Sequence, residues 1–133
     1  MVLHAVALAG FMALVPAVSQ ALTLDCTLNP TQSSSGWVTD RYVLQHDPET
    51  GSAVASDAVI LHYIGTPVAA TVAEDTKAKL VLTWKVRMTN NVGQTTTMLY
   101  RAAYFKTTGK ITVRAVPSGY ANIFEARGRC RSI

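Results

Sequence analysis

From Leu22 onward, apolar and polar residues alternate with a period of two, the spacing of strands that put one face in a core and the other in water. The clearest run is Lys79 to Met88. Leu80, Leu82, Trp84, Val86 and Met88 point one way, and Lys79, Thr83, Lys85 and Arg87 point the other. Asn90-Asn91-Val92-Gly93 follows, with residue types that accept positive φ in a hairpin turn. Gln94 to Phe105 is rich in Thr, Tyr and other strand formers. Thr107-Thr108-Gly109 turns into a strand over Lys110 to Val116, and Pro117-Ser118-Gly119 turns again into a last strand over Asn122 to Arg131.

The first half is less regular. It predicts strands at Leu22 to Leu28, Trp37 to Gln45, Val59 to Tyr63 and Val68 to Val72, and no helix. A polar loop over Asn29 to Gly36 and a tight turn over Asp47 to Gly51 separate the first of these. About eight strands in sequence predict an all-β fold, a small antiparallel meander barrel, because closure removes exposed edges. A two-sheet sandwich is the alternative.

Ahead of the strands lies Ala5 to Val18, an uncharged stretch of 14 residues. That is short of the roughly 20 residues a membrane-spanning helix needs. Ser19 and Ala21 are the small residues a signal peptidase accepts, so residues 1–21 read as an export signal and 22–133 as a single β-barrel domain. A retained anchor and a buried N-terminal helix are the competing readings of this stretch. Export gives the cysteines their meaning. Cys26 and Cys130 are the only two, one at each end of the domain, and in an oxidising compartment they predict a disulfide joining the terminal strands. Their Cα atoms are expected about 4.4–6.8 Å apart. The expected location is the periplasm or the cell exterior, with no transmembrane segment left once the signal is removed.

Composition narrows the class further. At 133 residues, 49% hydrophobic and 15% charged, the chain is too apolar for a disordered protein and too short for separate cofactor and substrate domains. The net charge of +4 hides a division. Residues 22–76 carry seven acids against one base, Arg41, whereas residues 77–133 carry eleven bases against one acid, Glu125.

The bases respect the strand alternation. Lys79, Lys85 and Arg87 oppose Leu82 and Trp84; Lys110 and Arg114 oppose Ile111 and Val113; Arg127 and Arg129 oppose Phe124 and Ala126. Isolated guanidinium groups keep their water only outside the barrel. These seven bases are therefore the candidate binding residues, on a cationic outer face suited to an anionic envelope component or an acidic protein. Arg101 is ambiguous, because its strand carries apolar residues on both parities. No nucleic-acid-binding motif is present, so nucleic acid is not an expected partner.

Catalytic chemistry finds little support. His46 and His62 lack the spacing of a metal site and read as surface histidines. Ser33-Ser34-Ser35 sits in a polar loop without a nucleophile elbow. Thr108-Gly109-Lys110 ends like a phosphate loop but runs into a strand. We therefore expect no enzyme activity, no cofactor and no metal. The expected function is that of an exported binding module. The alternatives are a carrier of a small apolar ligand, with a cavity among Trp84, Tyr100, Tyr104 and Phe124, and an inhibitor of a secreted hydrolase that presents the Asn29 to Gly36 loop.

Overall fold

In the computed structural model, residues 2, 5, 7–14 and 20–133 are described. Of the predicted signal, residues 1, 3, 4, 6 and 15–19 lie outside the described residues. Residues 7–14 carry no regular structure, and Leu8, Phe11, Met12 and Leu14 are exposed.

Eight antiparallel strands close into a barrel: β1 (Leu22–Asn29), β2 (Arg41–Asp47), β3 (Ser52–Ser56), β4 (Val68–Asp75), β5 (Lys79–Thr89), β6 (Thr95–Phe105), β7 (Lys110–Pro117) and β8 (Phe124–Ser132). Each strand pairs with the next in sequence, and β8 returns to β1, so no edge is left open. The interior is filled by the inward parity of every strand, including Leu24, Tyr42, Leu82, Trp84, Ile111 and Val113. Trp84 stacks on Tyr100 with ring centroids 5.4 Å apart and lies 5.9 Å from the ring of Tyr42. This aromatic block occupies the middle of the barrel, where offset ring contacts add to the burial of area.

The strand count agrees with the sequence by one loss and one gain. Val59 to Tyr63 is not a strand. It lies in a six-residue helix, α1 (Ala58–Tyr63), started by Asp57, whose carboxylate accepts from the Ile60 backbone N–H at 2.8 Å. A short apolar run fits either element, and the capping aspartate decides it here. The eighth strand is instead β3, whose small residues over Ser52–Ser56 carry little pattern. The second strand begins at Arg41 and not at Trp37. Trp37 to Asp40 belongs to the loop, where the Asp40 carbonyl accepts from the Leu28 N–H.

Two turn and loop expectations also change. In the β5–β6 turn only Gly93 takes positive φ; neither asparagine does. The Asn29 to Gly36 loop does not project. It forms a 3-10 turn (Gln32–Ser34) with Ser34 buried and the Ser33 hydroxyl donating to the Glu125 carbonyl of β8.

Cys26 and Cys130 form the predicted disulfide. They sit directly opposite each other on β1 and β8, and their Cα atoms are 3.9 Å apart, nearer than expected. The close approach continues two pairs along, where Leu28 faces Gly128. A Cβ placed on Gly128 would meet the Thr27 carbonyl oxygen at 1.9 Å, so only glycine fits between these strands.

The alternation of strands gives the barrel two unlike ends. The chain enters β1 and leaves β8 at one end, together with the short turns β2–β3, β4–β5 and β6–β7. The other end carries the long β1–β2 loop, α1, the β5–β6 turn and the β7–β8 loop. Polar contacts pin that end. Thr39 donates its hydroxyl to Asp57 at 2.7 Å, the Tyr42 hydroxyl accepts from the Thr39 N–H, and the Tyr100 hydroxyl donates to the Trp37 carbonyl at 2.8 Å. Burial pushes the ionisation of both tyrosines far up, so each hydroxyl stays neutral and free to bridge. Among the described residues, no helix is long and apolar enough to cross a membrane.

Candidate functional site

The register across β5, β6, β7 and β8 arranges the outward residues in rows. Lys79, Phe105, Lys110 and Arg129 form one row at the end where the chain enters. Thr83, Arg101, Arg114 and Glu125 form a row across the middle, and Lys85, Leu99 and Val116 run beside it. All seven bases singled out in the sequence lie on the outside of these four neighbouring strands. Lys79 is half-buried and the other six are exposed. Their expected inward counterparts Leu82, Trp84, Ile111 and Val113 are buried, while Phe124 is half-buried at the end of β8. The ambiguity at Arg101 is resolved outward: it is exposed, and Tyr100 and Ala102 on either side of it are buried.

Not all of this charge is free. Glu125 holds Arg114 at 2.9 Å and Arg127 at 3.2 Å. The Arg114 guanidinium, aided by Arg127, keeps the Glu125 carboxyl below the usual carboxylate range. Lys79 pairs with Glu74 at 3.4 Å and also lies over the Phe105 ring. Arg129 donates to the Thr108 carbonyl. By contrast, Lys85, Arg87, Arg101 and Lys110 have no acidic partner among the described residues.

The middle of the wall holds two of these unpartnered bases, Lys85 and Arg101, beside the Glu125-bound Arg114. Arg101 and Arg114 face each other directly across β6 and β7, an arrangement of like charges that destabilises a sheet. Together with Lys85 they border a groove of about 720 Å³, whose apolar lining includes Ala69, Leu99, Val116, Trp84 and Tyr100. Leu99 is among the few large apolar residues exposed on the outside of a strand. Bases around an apolar strip suit an anion attached to hydrocarbon better than a bare ion.

Acids elsewhere have structural duties. Asp25, on the outer face of β1, is covered by Arg41 at 3.1 Å and Arg131 at 3.2 Å. The Arg41 hydrogen bond in particular lowers its ionisation below the usual range. Asp57 caps α1, and Asp75 pairs with Lys106.

A second concavity opens at the end opposite the termini. It is a pocket of about 420 Å³ bounded by Trp37, Tyr63, Tyr120 and Phe124, with Met88 and Met98 among its lining residues. The interior cavity expected among Trp84, Tyr100, Tyr104 and Phe124 does not form as one space. The Trp84–Tyr100 stack fills the centre, Tyr104 lines a separate hollow at the end where the chain enters, and Phe124 lines the mouth.

The histidines correct the sequence reading in one respect. His46 is not at the surface; it is buried on the inward parity of β2. His62 lies on α1, edge-on to Tyr63. Among the described residues, no group of three His, Cys, Asp or Glu side chains is placed to hold a metal ion.

No family model, curated protein or solved structure matches the chain.

Proposed function

We propose that the protein is an exported, non-enzymatic binding module of the periplasm or cell envelope, and that its β5–β8 wall docks on an anionic envelope component. The observation that carries this reading is the groove between Lys85, Arg101 and Arg114. Arg101 faces a second arginine across the sheet and has no acid beside it, so an anion arriving from outside would relieve a repulsion the fold leaves in place. The apolar strip of Leu99 and Val116 favours an amphiphile with a phosphate headgroup over a soluble anion. Export is supported by the disulfide, a bond of oxidising compartments, and by the signal-like segment before Leu22.

The test is co-sedimentation with vesicles of phosphatidylglycerol and phosphatidylcholine at low and high salt. Binding should need the anionic lipid and weaken steeply with salt, because exposed charges are screened within about 10 Å at 0.1 M. Lys85→Glu, Arg87→Glu and Arg101→Glu together should abolish it, and these positions leave the Glu125 ion pairs untouched. Unaltered sedimentation of a folded triple variant, or binding indifferent to salt, would sink the proposal.

A further inference from the structure

The pocket at the mouth of the barrel differs in chemistry from the wall. The four segments that frame this end, residues 29–40, 57–67, 90–94 and 118–123, contain no lysine or arginine. Their two acids are Asp40, beyond the pocket lining, and Asp57, buried as the cap of α1. No lining residue carries a formal charge.

Around the mouth, Leu61, Ile64, Val92, Tyr120 and Ile123 are exposed, so the rim is apolar as well. A charged ligand would find nothing here to replace its water. Five polar side chains, Thr89, Asn90, Gln94, Thr96 and Asn122, share the lining, and three of them already bond within the protein. The Asn90 side chain donates to Gln94 Oε1 and accepts from the Val92 and Gln94 backbone N–H groups. Asn122, also in the lining, makes no hydrogen bond among the described residues. The volume of about 420 Å³ lies within the range of sites for small organic ligands.

We infer that the mouth formed by Trp37, Tyr63, Tyr120 and Phe124 binds a small, uncharged, largely apolar molecule with a flat ring and at most one or two hydrogen-bonding groups. Four aromatic residues offer faces and edges to such a ring, and the Met88 and Met98 thioethers adapt to its outline. Asn122 supplies an amide with both its donor and its acceptor free among the described residues. This site is separate from the cationic wall and stands or falls independently of it.

The probe is N-phenyl-1-naphthylamine, an uncharged two-part aromatic whose emission rises in apolar surroundings. The full chain should bind it saturably, one per protein, and lose tryptophan emission as it does so. Trp37→Phe should weaken the binding, because Trp37 lines the mouth; this also separates the mouth from the exposed apolar residues 7–14. Tyr120→Asp should weaken binding at least about tenfold, since it places a charge in an uncharged site. Tyr120 is 66% exposed, so the fold should persist; Asn122→Asp provides a second variant with the same expectation. The Lys85→Glu, Arg87→Glu, Arg101→Glu protein should bind the probe normally. Absence of saturable binding, binding that ignores both aspartate variants, or displacement of the probe by an uncharged oligosaccharide such as maltotriose would overturn the inference.

Discussion

The seam between β8 and β1 and the wall across β5, β6 and β7 are both antiparallel sheet, yet they treat charge in opposite ways. At the seam, Asp25 lies beneath Arg41 and Arg131, and a disulfide ties the strands on the inner side. On the wall, Arg101 faces Arg114 without an acid of its own, and Lys85 and Arg87 stand free. An outward base on a strand is thus not one kind of feature. Where an acid is supplied, the base helps close the barrel; where none is supplied, its charge is directed at the surroundings.

The seam should suffer the heaviest loss. Cys26→Ala with Cys130→Ala opens a link between residues 104 positions apart and should cost about 2–5 kcal/mol. Urea unfolding would show this as a lower midpoint. An unchanged midpoint would mean the strands are held without the bond.

Gly128→Ala should follow, at about 1–3 kcal/mol of overpacking, because the new Cβ would meet backbone at 1.9 Å and β1 must yield. A melting temperature equal to that of the parent would contradict the close approach of the two strands.

A smaller effect should come from acid. Asp25 and Glu125 both ionise more readily when folded, through Arg41 and Arg114 respectively. Their contribution is therefore present above the ordinary carboxylate range and lost as pH falls through the lowered folded values. Stability should decline below about pH 4, and Asp25→Asn should flatten part of that decline. A decline of identical slope in the variant would remove Asp25 from the account.

The smallest effect should be on the wall, and in the opposite direction. Arg101→Thr removes a like-charge pair and should stabilise the fold by about 0.2–1 kcal/mol while reducing vesicle binding. Loss of stability on this substitution would mean that Arg101 has a structural partner after all.

Much of the wall was legible in the sequence because strand parity is a local property. Lys85 and Arg87 had to point away from Trp84 and Val86, whatever the rest of the chain did. What joined the strands was not legible. Asp25 meets Arg131 across 106 positions, and no spacing rule connects them. Glu125 was visible as the lone acid of the basic half, but its grip on Arg114 depends on the β7–β8 register. Val59-Ile60-Leu61 fits a strand or a helix equally, until Asp57 turns toward Ile60. The mouth was least legible of all, because Trp37, Tyr63 and the Tyr120–Phe124 segment come from three separate stretches of chain and share no pattern.

The closed meander also fixes how the molecule would sit on anything that grasps it. Its chain enters and leaves at one pole, beside the short turns, and the aromatic mouth lies at the other. A resin, a sensor chip or a second domain fused at either terminus would hold the barrel as a pedestal holds a cup, open side outward. The arginine wall would then stand lengthwise between the two. Immobilisation through a terminal tag should accordingly leave the mouth in free exchange with solution, whereas coupling through the thiol of a Val92→Cys or Ile123→Cys variant would turn it toward the support.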